Sequence, residues 1–391
     1  SDDVDLLMGT GNSRWMFKPG PSLPLSMVQI APDNQDEIWK AGYEYTIENI
    51  MGFNHFSDWT MTGFLMQPTC GELQVNPGRE DFPDEGYRSR IDKASEKAEI
   101  GRYSVYMTDT KIKAEITSTR RAALQRYIFP AREDARILID MFTPNEYPHN
   151  LMNAHITKVN DTEIEGHATY YNAFTGYTLE QSYTLYFVLQ FSKPFESMGG
   201  WVNEGVKPVT GYIPGWNRNH EFDTPAEISQ NIDEIEGKGD VGIFLNYKTA
   251  EGEEVLVRSG VSLVDMAGAR NNLKQELADP FGWDFEKVVD NARSVWDEYL
   301  GRIDIETDDY LQKKKFYTNL YRALAAKATW SDVDGRFVDE NERIRQLEKP
   351  GDCIVSGEYW NTFWNNQQLF NLITPEISSL WARSAIQLYQ N

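Results

Sequence analysis

The sequence predicts a β + α multidomain protein, with an antiparallel β-sandwich followed by an all-helical region. Three observations carry this. The chain has 391 residues, more than a usual single domain, so more than one core is expected. Through about Val264, short runs rich in β-branched and aromatic residues alternate with turn clusters, and no helical crossover separates most neighbours. Strands joined without crossovers pair antiparallel, and this many of them close as a sandwich. After Asp265 the apolar period lengthens from two residues to that of a helix.

Taken in order, KIKAEITSTR (111–120), ARILIDMF (135–142), SYTLYFVLQFS (182–192) and VGIFLNYK (241–248) read as strands. Turn clusters such as QVNPGREDFPDEG and TGYIPGWNRN separate such runs. In DFEKVVDNARSVWDEYLGRI (284–303), Phe285, Val288, Val289, Ala292, Val295, Trp296, Tyr299 and Leu300 fall at helical spacing. DYLQKKKFYTNLYRALAAKA (309–328) repeats the pattern, as do GEYWNTFWNNQQLFNLI (357–373) and TPEISSLWARSAIQLYQ (374–390). Thr374 is the expected N-cap of the last helix, with Pro375 first and Glu376 as first-turn acid. Its apolar face, Ile377, Leu380, Trp381, Ala385 and Leu388, has no later segment to cover it, so an open patch is expected there.

Composition excludes several functions. A formal charge of −22 and a pI near 4.7 argue against nucleic acid, which needs clustered Lys and Arg. No apolar run reaches the length of a membrane span. No signal peptide is evident, and Ser1-Asp2-Asp3 reads as a mature start or a trimmed chain. Cys70 and Cys353 read as two unrelated free thiols. The five histidines show no HxH or HExxH spacing, so no zinc site is expected, and neither GxSxG nor a P-loop occurs. MGTGNS (8–13) reads as a turn that brings backbone amides near a ligand. SDVDGRF (331–337) places Asp332 and Asp334 in an Asx-rich turn between helices, short of the donors a calcium loop requires. Among 60 acidic residues, spacing singles out no glycosidic carboxylate pair.

The most informative stretch is GEYWNTFWNNQQLFNLI. Read as a helix, it sets Trp360, Phe363 and Trp364 on one face with Gln367, and Asn361, Asn365 and Gln368 beside them. A buried amide without partners costs about 1–3 kcal/mol, so this many amides imply solvent or a polar, hydroxyl-rich ligand such as a sugar. Helix packing with solvated amides is the other reading.

These residues, taken with others, resemble the amino-terminal half of the glycoside hydrolase family 92 α-mannosidases. VDLLMGTGN (4–12) and PGPSLPLSMVQIAPD (19–33) are similar to the family's opening VDPFIGTG and PGA…PFGMVQLSPD. GYEY (42–45), IMGFNHFS (50–57), GRYSVYM (101–107), IKAEITSTRRAALQRYIFP (112–130), WDFEKV (283–288), KKFYTNLYRAL (314–324) and SDVDGRF (331–337) follow in family order. YWNTFWNNQQLFNLITPE (359–376) aligns with WDTFRALHPLLTLLQPE.

The resemblance implies a β-sandwich domain over 1–265, a helical linker over 266–305, and the start of a catalytic (α/α)6 toroid over 306–391. It implies an extracytoplasmic, calcium-dependent, inverting exo-α-mannosidase, with its site between sandwich and toroid. The general acid, the base and the side-chain calcium ligands belong to the carboxy-terminal half of the family's chain, so no catalytic or metal residue is carried over. Its partners would be a mannose-containing oligosaccharide and that other half of the toroid. Trp360 and Asn361 would contact the sugar, with His55 and Trp59 from a sandwich loop. Two departures stand out. Asn361 occupies the position of the family's aspartate, which removes a charge-assisted bond to the −1 mannose while keeping an acceptor. The family's S-H-T-H loop reads Asn54-His55-Phe56-Ser57. The rival readings are a non-catalytic carbohydrate-binding protein on the same fold and a structural assembly partner.

Overall fold

The structure, a computed structural model, describes residues 2–12, 18–37, 40–58, 61–143, 149–174, 179–205, 225–349, 351–355 and 362–390. Every strand pairing among them is antiparallel, and most strands belong to one continuous sheet that folds into two layers. The long strand Glu234–Thr249 passes from one layer to the other. Its first part, to Gly239, pairs with His149–Asn160, and from Asp240 it pairs with Arg132–Asp140 and Ser197–Asn203. Gly239 lies at the changeover with φ +80°, a conformation that a Cβ would strain.

Alternation along each strand then sorts the side chains. Ile137, Ile139, Ile243 and Leu245 of the first layer meet Tyr103, Tyr127, Phe187, Leu189 and Val257 of the second in the main core. One residue out of phase, Leu138 and Phe244 face outward and are covered with Trp201 by Val75 and Tyr87.

The change from strand to helix falls between Ser262 and Met266, inside the predicted window. Helix α1 (Met266–Leu273) is capped by Asp265, whose carboxylate accepts from Gly268 N, and it runs on through a π-helical turn, Lys274–Ala278. It is followed by α2 (Phe285–Leu300), α3 (Tyr310–Ala325), α4 (Asn366–Ile373) and α5 (Pro375–Gln390). Helices α1 and α2 cover the outer face of the second layer, on Ala122, Leu124 and Val188. Trp296, Leu320, Tyr321, Leu324 and Phe370 form a separate core among α2, α3 and α4, closed by Leu6 and Leu23 of the amino-terminal segment.

Three expectations change here. Helix α4 begins at Asn366, and Phe363 and Trp364 stand exposed in a turn before it, so no helical face unites them with Gln367. Asn365 has φ −151°, outside the helical range, and Gln367 N bonds to Thr362 O across five residues. Next, the Ile377 face of α5 is covered in part, with Ile377 buried and Leu380, Trp381, Ala385 and Leu388 half-buried. Ile377 packs on Leu25 and Val355, with Tyr299 and Cys353 beside Leu380 and Trp381, because the amino-terminal segment folds back onto it. The apolar side chains left exposed are others, above all Leu372 (80%) and Tyr389 (91%). Finally, 331–337 leads into a hairpin, Arg336–Val338 with Ile344–Gln346, that follows α3.

Candidate functional site at the sandwich–helix junction

The junction is assembled from segments far apart in sequence. Asp5 N donates to Thr318 Oγ1 at 3.0 Å, and Trp296 Nε1 donates to Ser22 O at 2.7 Å, which ties the amino-terminal segment to α2 and α3. The segment then crosses to the sandwich, where the Met27 and Val28 amides both donate to Arg120 O. Between them, buried Leu25 adopts φ +63°, a strained conformation for a leucine that its packing on Val355 and Ile377 holds in place.

Next to Arg120, Arg121 joins three elements. Its Nε donates to Ser331 O at 2.6 Å, its amide to Glu276 Oε2 at 2.7 Å, and its Nη1 to Glu276 Oε1. Glu276 reaches it from the π-helical turn and also accepts from Thr119 Oγ1. Ser331 passes the connection on. Ile354 N donates to Ser331 Oγ, Thr329 Oγ1 donates to Ile354 O, and Val355 N donates to Ser384 Oγ of α5.

Asp332 is buried beside this point. Its oxygens accept from Ser262 Oγ at 2.8 Å and Asn272 Nδ2 at 2.7 Å, and Asn272 Oδ1 accepts from Val333 N. A Cβ on residue 268 would lie 2.0 Å from Asp332 Oδ2, so the approach requires Gly268. Desolvation raises the Asp332 carboxyl to about 6, against the pull of those donors and of Arg336. A carboxyl raised in the folded state contributes stability below its unfolded value of 3.8 and loses it as pH rises through about 6. Asp332→Asn is therefore expected to gain on the native chain by about 2–3 kcal/mol between pH 4 and 7. Urea unfolding of both proteins across that range measures it, and a pH-independent difference would refute it.

Among the described residues no three His, Cys, Asp or Glu side chains converge to hold a metal. Asp334 is engaged by Arg336 at 2.9 Å, and Arg336 also holds Asp265 at 2.6 Å, so the 331–337 turn is a structural brace. In the amino-terminal turn, Asn12 N donates to Glu44 Oε1 at 2.7 Å, so that amide is already engaged within the fold. Cys70 and Cys353 are both free thiols.

Of the predicted sugar-contacting residues, His55 is described and lies elsewhere than expected. It is 0% exposed, stacked on Phe64 at 4.3 Å, with Nε2 2.9 Å from Gln125 Nε2. Burial holds its pKa down to about 3. Its neighbours Phe53 and Phe64 are inward-facing core residues, so the ring belongs to the sandwich interior and not to a cleft wall. Trp59, Trp360 and Asn361 lie outside the described residues. The Arg121–Glu276 and Asp332–Asn272 contacts went unread in the sequence. Arg121 stands within one of the motifs quoted above, but no spacing links it to a glutamate 155 positions on.

Compared with known families, residues 3–262 match the Glycosyl hydrolase family 92 N-terminal domain and residues 268–391 the Glycosyl hydrolase family 92 catalytic domain. The chain belongs to glycosyl hydrolase family 92. The gap between the two matches coincides with the passage from the last sandwich strand to α1. Among solved structures of the family, an alpha-mannosidase from Bacteroides thetaiotaomicron is 28% identical with a TM-score of 0.83, over 100% of this chain and 49% of its own. That enzyme has also been solved in complex with mannoimidazole, with the same identity and TM-score. The inverting family 92 mannosidase of Bacteroides thetaiotaomicron VPI-5482, at 21% identity and TM-score 0.75 over 100% of this chain and 48% of its own, shares the fold. An uncharacterized secreted glycosidase of Arthroderma benhamiae is 26% identical over 344 residues, 82% of this chain and 41% of its own. The chain thus spans about half the length of the relatives it matches.

Proposed function

We propose that this chain is the sandwich, linker and first toroid helices of an inverting, exo-acting α-mannosidase of α-1,2 type that acts on mannose-containing glycans outside the cytoplasm. The observation that supports this most is its likeness across both family domains to an α-mannosidase solved with mannoimidazole. The secreted glycosidase among the relatives supports the location, and no helix of the described residues is long and apolar enough to cross a membrane. In this reading 1–265 is the sandwich domain, 266–305 the linker and 306–391 the start of the toroid. Trp360 and Asn361 hold the −1 mannose, and Trp59 contacts it from the sandwich. Val355, which leads into that stretch, is anchored at the junction by Ser384 and by Leu25.

The other half of the toroid would supply the general acid and the base, about 6.5–9.5 Å apart so that water fits between base and sugar. By the family resemblance it would also supply the side-chain calcium ligands. The task of this half is to orient the sugar and to hold the two domains in register.

The test is turnover of α-1,2-mannobiose by the protein with a whole toroid, followed by NMR. β-Mannose should appear first, chelator should stop the reaction and calcium should restore it, while residues 1–391 alone should be silent. Release of α-mannose first, or turnover by this chain alone, would overturn the reading. Asn361→Ala is expected to weaken mannoside binding while leaving stability within roughly 1 kcal/mol. Asn361 also favours a second reading, a carbohydrate-binding protein that has lost its chemistry. In the protein with a whole toroid the two separate, because only the second reading predicts that the native Asn361 form is inert and that Asn361→Asp is needed for turnover.

A further inference from the structure

We propose that the sandwich carries a seat for a neutral saccharide, whose described lining falls within residues 12–108. Near the strands Ala31–Asp33 and Asn49–Ile50, which the bond from Met51 N to Asp33 O draws together, lies a cleft of about 920 Å³. That lies within the roughly 300–1,000 Å³ of small-molecule sites. Among the described residues, none of its lining comes from helices α1–α5.

Three of its polar side chains are more than nine-tenths buried: Gln35 and Asn49, each 6% exposed, and Glu44, 7%. Two of these are engaged within the fold. Asn49 Oδ1 accepts from Arg88 and its Nδ2 donates to Glu80 O, while Glu44 accepts from the amides of Asn12 and Thr46. The Gln35 carboxamide lines the cleft with no side-chain hydrogen bond among the described residues. The amide end opens to the cleft, where a ligand hydroxyl can take the place of water as its partner.

The lining also states which ligand suits it. Carboxylates of Glu44, Glu48 and Asp81 accept, while the Gln35 carboxamide both accepts and donates. All four groups accept and only the Gln35 amide also donates, so an ammonium ion would leave that donor unused, whereas vicinal hydroxyls use both kinds. Ile47, Pro83 and Ile91 add apolar surface for the C–H face of a sugar ring. Arg90 is held by Asp84 and Asp109 and so is not offered to an anion.

The test titrates the whole chain by calorimetry with neutral trisaccharides of mannose, glucose and N-acetylglucosamine, and with spermidine as the ammonium probe. One of the trisaccharides should bind, with no loss in 0.5 M salt. Gln35→Leu should weaken that binding at least tenfold at an unchanged thermal midpoint. Glu48→Ala, an exposed position that carries no folding risk, should weaken it about threefold or more, and Asn361→Ala should leave it alone. No binding of any trisaccharide, binding indifferent to both sandwich variants, or spermidine binding alone that salt abolishes would each overturn the seat. Binding lost only in Asn361→Ala would also overturn it and leave the mannosidase reading standing.

Discussion

Arg121→Ala is expected to destabilise the protein by about 3–5 kcal/mol, the cost of removing one partner from a largely buried ion pair. The Arg121 and Glu276 side chains are 8% and 13% exposed, so the truncation strands a carboxylate away from water. It also removes the donor to Ser331 O, and with it the tie from the sandwich to the 327–337 region. A double change, Arg121→Met with Glu276→Leu, should recover part of the loss, since two apolar groups leave no unpaired charge. Urea unfolding of Arg121→Ala and of the native, Arg121→Met, Glu276→Leu and doubly changed proteins measures the loss and completes the cycle. A loss below about 1 kcal/mol in Arg121→Ala would mean that water reaches Glu276 and that the clasp is a surface pair.

Trp296→Ala is expected to cost about 3–5 kcal/mol, in the range for a large aromatic removed from a core. Trp296 is fully buried, packs on Tyr321 with ring centroids 4.2 Å apart, and donates to Ser22 O. Its loss should therefore do more than open a cavity. Ser22 belongs to the segment that carries Leu23 and Leu25 onto the helices, so that segment should loosen first. Hydrogen exchange should show the amides of Met27 and Val28 losing protection ahead of the sandwich strands. Trp296→Phe should keep most of the packing while losing the bond to Ser22 O, which separates the two contributions. Equal protection at Met27 in all three proteins would show that the segment is held by the sandwich alone.

Elements whose residues share one environment could be read directly. The 284–303 pattern became Phe285–Leu300 and the 309–328 pattern became Tyr310–Ala325, because each helix lays a single apolar stripe on a core. Both begin at an aspartate whose side chain accepts from the first-turn amides, Asp284 from Lys287 and Asp309 from Leu311 and Gln312. The 374–390 helix starts as expected at Pro375, although the Thr374 hydroxyl turns back to Phe370 O instead of capping it. The short strands between Ala31 and Thr62 showed no clear period, being two or three residues long.

The candidate site was less legible. The aromatic–amide stretch drew notice by its composition, yet residues 362–365 form a turn and helix α4 starts at Asn366, since Asn365 leaves the helical range. His55 was placed at the ligand by motif, and the register of Gly52–Asn54 on Leu65–Cys70 instead leaves it among Phe53, Phe64 and Gln125.

What the sequence by itself determined is the order of the two textures, the residue near 265 where they change, and the family, because periodicity and motif order are local properties of a chain. The tertiary structure alone decided which apolar face of α5 is covered and which carboxylates are engaged. It also decided that Arg121 meets Glu276 and that Gln35 lines a cleft. These are contacts between segments tens to hundreds of positions apart, and a contact of that kind depends on how two surfaces meet in space, which no period along the chain records.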